Sequence, residues 1–241
     1  MIFRQMFDAV SSTYTYLLAS RAGGEALLID PVFEKTDRYI RLLEELDLKL
    51  VKVVDTHVHA DHITAMGALR DRTNCVTVMG EQSPVDVSMR VSDGERVTIE
   101  GIDLTAMHTP GHTDDSYCFR MDDRVFTGDT LLIRGTGRTD FQNGDAGQQY
   151  DSLFDGVLKL PESTLVYPAH DYKGDMVSTI GEERANNPRL QVGSRAEYIE
   201  LMAGLNLPNP KMMDVAVSEN IRVGLNLERQ REVATVTPES I

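Results

Sequence analysis

The chain is short of cysteine, of basic charge and of long apolar runs, and each shortage removes a class of protein. Only Cys75 and Cys118 occur, far apart and with no Cys-x-x-Cys pair. A secreted disulfide framework therefore does not fit, and the two thiols, each in an apolar strand-like run, read as free core residues. Against 38 acidic residues stand 24 basic ones, a formal charge of -14. Nucleic acid and anionic membrane surfaces are met by basic footprints, so neither is an expected partner. An anionic substrate must instead find a local group of cations. No stretch approaches the roughly 20 apolar residues of a membrane span. The start, Met1-Ile2-Phe3-Arg4-Gln5-Met6-Phe7-Asp8, shows no basic segment ahead of an apolar one as a secretory signal would. The expectation is a soluble cytoplasmic protein. Its 241 residues can bury about three quarters of their unfolded surface without a covalent clip. With no repeat, low-complexity tract or linker, one domain is expected over 1–241, with a short C-terminal extension over about 205–241.

What is present is an alternation of elements. Residues 14–19 and 26–30 are strand-like around Arg21-Ala22-Gly23-Gly24, a hairpin. Ile40, Leu43 and Leu46 give 36–46 a helical spacing, and 50–55 follows as a buried strand. Strand, helix, strand predicts a right-handed crossover with a site at the strand's carboxyl end. A short helix over 63–70 and a strand over 76–79 come next. Beyond residue 96 the texture turns to tight hairpins, 97–100 with 102–107 and 116–121 with 124–127. Helical spacing returns at Tyr150, Leu153, Phe154, Val157 and Leu158. A strand over 164–167, helices over 179–186 and 195–205, and a segment punctuated by Pro208 and Pro210 complete the pattern.

All six histidines fall in three places: Thr56-His57-Val58-His59-Ala60-Asp61-His62, His108-Thr109-Pro110-Gly111-His112, and Tyr167-Pro168-Ala169-His170. A lone histidine is usually nothing, but imidazoles and carboxylates crowded this closely have a common cause in a multiply charged metal ion. Residues 57, 59, 61 and 62 cannot share one face of a strand or helix, so a loop after the 50–55 strand is their natural setting. His112 follows the sharp Pro110-Gly111 turn, Asp129 follows Gly128 at a strand end, and His170 follows the 164–167 strand. His108 ends a strand and is expected to be structural.

This pattern resembles the metallo-β-lactamase superfamily, whose HxHxDH motif and later His, Asp and His are matched by His57, His59, Asp61, His62, His112, Asp129 and His170. The resemblance implies an α/β fold, an αβ/βα sandwich of two mixed sheets flanked by helices, with metal at the rim between the sheets. It does not settle the chemistry, since the superfamily spans hydrolases, nucleases, oxidoreductases and dioxygenases. Other segments are narrower. The run 131–142, His170-Asp171-Tyr172-Lys173-Gly174, Glu182-Glu183-Arg184, Asn187-Pro188-Arg189-Leu190 and Leu205-Asn206-Leu207-Pro208 are similar to the persulfide dioxygenases, the ETHE1-like sulfur dioxygenases.

That family resemblance implies an enzyme using one Fe(II) per chain to turn glutathione persulfide, dioxygen and water into sulfite and glutathione. Its iron ligands carry over to His57, His112 and Asp129, a facial set that leaves three positions open for substrate and dioxygen. His59, Asp61, His62 and His170 would stand behind them, orienting ligands through hydrogen bonds. Glutathione carries carboxylates, and Arg134, Arg138, Tyr172, Lys173, Arg184 and Arg189 are the candidates to hold it, with Arg138 and Tyr172 nearest the metal. Where some family members carry cysteine, this chain has Thr136 and Val223. A rival resemblance is to glyoxalase II, a thioester hydrolase acting on S-acylglutathione, in which two metal ions, zinc among the candidates, would be shared. His57, His59 and His112 would hold one, Asp61, His62 and His170 the other, and Asp129 would bridge. The ligand residues alone do not separate the two; the flanking segments and the short C-terminal region favour the dioxygenase. A non-catalytic metal-binding module is the third option, against which the intact ligands argue. Whether the chain is a monomer or a homodimer stays open.

Overall fold

Seven consecutive residues, Thr13–Ala19, are buried along their whole length, and a strand apolar on both faces needs a layer packed on each. In the computed structural model, which describes residues 1–208 and 212–225, this strand, β2, lies in a six-stranded sheet. Its members are β1 (Ile2–Asp8), β2, β3 (Glu25–Ile29), β4 (Lys49–Val54), β5 (Val76–Gly80) and β6 (Met89–Val91), side by side in that order. β1 to β3 pair antiparallel and β3 to β6 parallel. The parallel crossovers carry α1 (Thr36–Glu45) and α2 (Met66–Thr73).

The second sheet is also six-stranded: β7 (Arg96–Ile99), β8 (Ile102–His108), β9 (Tyr117–Arg120), β10 (Arg124–Gly128), β11 (Leu165–Pro168) and β12 (Ser178–Thr179). It is antiparallel except between β10 and β11. Their crossover holds α3 (Ala146–Asp151), and α4 (Ile180–Asn186), α5 (Arg195–Ala203) and α6 (Met213–Asn220) follow β12. The two mixed sheets flanked by helices are the expected sandwich. Tyr14, Tyr16 and Leu18 of β2 face Leu104, Phe119 and Phe126 between the sheets. Leu17 and Ala19 of the same strand pack with Tyr39, Leu43 and Leu69 under α1 and α2. Cys118, Val125 and Val166 meet Leu153, Ile180 and Tyr198 outside the second sheet. Both cysteines are free and buried. Among the described residues no helix is long and apolar enough to cross a membrane.

Several boundaries differ from the sequence reading. β1, β6 and β12 escaped it because β1 is a polar edge strand with Arg4 exposed and the other two span 3 and 2 residues. The helix expected from residue 63 begins at Met66, since Thr64 bridges Val32 and its N–H donates to Asn220 Oδ1. The helix expected over 150–158 starts at Ala146, capped by Asp145, and loosens into a π turn over Ser152–Gly156 and a 3-10 turn over Val157–Lys159. Pro210 and residues 226–241 of the expected extension lie outside the described residues.

Candidate metal centre

The sheets meet at one edge, where Tyr14 N–H donates to Ala169 O at 2.7 Å and Thr13 bridges His170. The ends of β4, β8, β10 and β11 open onto this edge, and the loop after β4 is held there from several directions. Irregular backbone buried this deeply must have its polar groups satisfied, and here distant side chains do it. Asp30 Oδ1 accepts from Thr56 N and Asp115 Oδ2 from Val58 N. Gln142 donates to Val58 O, and Asn220, at the end of α6, donates to the carbonyls of both His59 and His62. Pinned in this way, the loop is free to turn His57, His59, Asp61 and His62 to one side.

The turn after β8 brings His112, and Asp129 and His170 arrive from the ends of β10 and β11. Ring centroids of His57 lie 4.2 Å from His59 and 4.9 Å from His112, and those of His59 and His62 lie 4.3 Å apart. The donor atoms form two groups, His57 with His112 and Asp129, and His59 with Asp61, His62 and His170, each within 4.8 Å. His108 stands apart, as expected, with Nε2 against Asp114 O.

Hydrogen bonds settle which donor atoms are free. His112 Nδ1 donates to Arg138 O at 2.7 Å, and a carbonyl only accepts, so Nε2 keeps its lone pair. That Nε2 lies 3.5 Å from Asp129 Oδ2, while Asp129 Oδ1 accepts from His170 Nδ1 at 2.6 Å. His170 Nε2 donates to Asp61 Oδ2 at 2.7 Å. His62 Nδ1 also turns to Asp61, and His59 Nε2 to Asp30. This leaves His59 Nδ1 and His62 Nε2 buried with no hydrogen-bond partner among the described residues. A bare buried polar atom costs about 1–3 kcal/mol and is unusual where no ligand is intended. Imidazole nitrogens and carboxylate oxygens converging on one buried edge fit a divalent transition metal.

The charges point the same way. Burial, with His59 and His112 beside it, holds His57 well below the usual imidazole range. Burial pushes Asp129 and Asp61 up, yet their imidazole neighbours outweigh it and both carboxyls end well below the usual range. Burial likewise opposes protonation of His170, but Asp129 and Asp61 on either side hold it well above the usual value as an imidazolium. Neutral His57 and ionised Asp129 are the forms in which these groups bind a cation.

A cleft of about 530 Å³ opens over this edge, reached by His112, Asp129, Asp61 and His170. Five of the six substrate candidates line it: Arg134, Arg138, Tyr172, Lys173 and Arg189. Arg184 does not; it is exposed on α4 and pairs with Glu162 at 3.4 Å. Arg134 is committed to the buried Glu183, and Arg138 to Asp140 at 2.6 Å. Arg189 donates to Thr136 O and Oγ1 and has no carboxylate partner among the described residues. Tyr172 lies parallel to His170, ring centroids 6.3 Å apart, and is exposed at the mouth. Thr136 Oγ1 sits among Arg189 and Tyr198 OH, and Val223 is buried behind Gly67.

Residues that sequence reasoning missed support this geometry. Gly137 N–H donates to Asp129 O at 2.7 Å, and a Cβ there would stand 2.3 Å from that oxygen and 2.7 Å from His112 Nδ1. Asp30, Thr56, Thr13 and Asn220 touch the donors or their backbone. A signal existed for Asp30, an acidic residue closing an apolar strand, and for Gly137 in its Gly-rich run. Nothing local indicates Asn220.

The metallo-β-lactamase superfamily profile matches residues 9–83 and 80–170, which covers every donor described above. Within that class the mitochondrial persulfide dioxygenase ETHE1 of Mus musculus is 46% identical over 228 residues, spanning 93% of this chain and 89% of that protein. Its Homo sapiens counterpart is 45% identical over the same shares. The crystal structure of ETHE1 from Myxococcus xanthus superposes with a TM-score of 0.91 at 53% identity, covering 93% of this chain and all of that one (100%). The chain belongs to the persulfide dioxygenase family of the metallo-β-lactamase superfamily.

Proposed function

We propose that this persulfide dioxygenase oxidises glutathione persulfide with dioxygen at a single Fe(II) held by His57 Nε2, His112 Nε2 and Asp129 Oδ2. Fe(II) held by these three residues would supply the redox chemistry for persulfide and dioxygen to react, in the overall conversion of glutathione persulfide, dioxygen and water to sulfite and glutathione. One observation carries the choice of ligands. His170 gives both ring nitrogens to carboxylates, one of them Asp61, so two donors of a second metal site are spent on each other. His57, His112 and Asp129 keep a free donor atom each.

The chain's own residues do the rest. His170 occupies Asp129 Oδ1 and so offers the metal one oxygen in a fixed direction. Arg138 O holds the His112 ring. Leu132, Ile133 and Phe141 wall the cleft against water, while Arg189 and Lys173, cations without carboxylate partners among the described residues, receive the glutathione carboxylates.

Bare His59 Nδ1 and His62 Nε2 favour a second reading, a dinuclear thioester hydrolase with Asp129 shared. Metal analysis of protein purified without oxygen separates the two. One iron per chain with oxygen uptake and sulfite release on glutathione persulfide is expected. Two zinc ions per chain, no oxygen uptake and hydrolysis of an S-acylglutathione would overturn the proposal.

A further inference from the structure

Thr56, the residue before the histidine motif, touches both groups that decide which nitrogen of His57 carries the proton. Its Oγ1 lies 3.0 Å from Asp30 Oδ2 and 3.0 Å from His57 Nδ1. A hydroxyl has one proton, and an ionised carboxylate only accepts. The proton therefore goes to Asp30, and the hydroxyl oxygen is left to accept from His57 Nδ1, which must supply an N–H. An imidazole protonated at Nδ1 has its lone pair at Nε2.

Asp30 is well placed for this. Its Oδ1 accepts from Thr56 N at 2.7 Å and from His59 Nε2 at 3.1 Å, so the carboxylate is fixed by the same loop it orders. Thr56 is held from the other side by the strand that delivers Asp129. Gly128 has φ of +52°, and a Cβ there would come within 2.9 Å of Thr56 Oγ1. Asp30, Thr56, His57 and the Gly128-Asp129 turn thus form one packed unit. At His112 the proton is placed without a relay, by a backbone carbonyl. At His57 no carbonyl among the described residues meets Nδ1, and the side chain of Thr56 takes its place.

We infer that Thr56 is a positioning residue that locks His57 in the Nδ1–H tautomer, with Asp30 orienting the Thr56 hydroxyl, so that His57 Nε2 faces the metal. The inference rests on His57 being a metal ligand, and it extends that reading to residues outside the motif.

Long-range proton–nitrogen NMR of metal-free protein carrying nitrogen-labelled histidine distinguishes a protonated ring nitrogen from a bare one. His57 is expected with its proton on Nδ1 in the unaltered protein and in Thr56→Ser, and with a mixed or reversed tautomer in Thr56→Val. Titration with Zn(II) or anaerobic Fe(II) alone should show binding weakened by about 10–100-fold in Thr56→Val, the usual cost of losing an outer hydrogen-bond partner, and restored by Thr56→Ser. An unaltered protein with His57 protonated on Nε2 overturns the inference, even if Thr56→Val fails to fold. So does a folded Thr56→Val that binds metal as tightly as the unaltered chain. His57→Ala tests the underlying ligand assignment separately: undiminished metal binding there would remove His57 from the ligands, whatever its tautomer.

Discussion

The two halves of the donor cluster are built from the same residue types and are wired differently. In the half made of His57, His112 and Asp129, each donor leans on a group outside the cluster or on its far side: Thr56 Oγ1, Arg138 O and His170. Outer support fixes ring orientation and leaves the inner atoms free. In the half made of His59, Asp61, His62 and His170, three of the four bond to one another, with Asp61 Oδ2 accepting from both His62 and His170, while His59 Nε2 turns to Asp30. Thr13 Oγ1 sits among all three at 3.1–3.3 Å. Similar chemistry in the sequence therefore becomes two arrangements in space. One is a presented half supported from outside itself; the other is a self-bonded, or satisfied, half in which Asp61, His62 and His170 hold one another while His59 Nδ1 and His62 Nε2 stay without a partner among the described residues.

Asp129→Ala should have the largest effect, because it deletes the anion of the presented half and removes the partner of His170 Nδ1. Iron retention is expected to fall by more than the roughly 100-fold that marks loss of an outer partner. Near-normal iron in the purified variant would dissolve the distinction between the halves. Gly137→Ala is expected next. Its added Cβ meets Asp129 O at 2.3 Å and His112 Nδ1 at 2.7 Å, so it strikes the presented half alone. A loss of metal affinity of about 10–100-fold is expected, measured by zinc titration; unchanged affinity would show that the two donors tolerate displacement.

The contrast explains what could be read from the chain beforehand. All seven clustered residues were legible because they stand in short motifs at strand ends, the pattern expected of a metal site, and β2, β4, β8 and β10 follow from local periodicity. Their wiring was not. Asn220 meets His59 across 161 positions and Asp30 meets His59 across 29, separations at which no local pattern exists. Arg184 was chosen with its neighbours from one segment, yet α4 turns it outward to Glu162 while Glu183 on the next position is buried against Arg134. Neighbours in a helix point about 100° apart, so segment resemblance alone does not place a side chain.

His59→Ala addresses the satisfied half directly. With one metal bound at the presented half, the variant should keep one ion per chain and lose no more than about 10-fold in affinity, as for an outer partner. An unaltered chain that takes up two zinc ions where the variant takes up one, by elemental analysis after zinc loading, would count against the single-metal reading. The mildest change is Thr13→Val, nearly isosteric, which removes the hydroxyl shared by Asp61, His62 and His170 without touching the other four donors. Leaving these buried groups short of a partner should cost about 1–3 kcal/mol of folding stability, read from denaturant unfolding of the metal-free chain. Metal stoichiometry should not move. If metal content falls with stability, the satisfied half is also holding the ion, and the separation drawn from its internal hydrogen bonds does not survive.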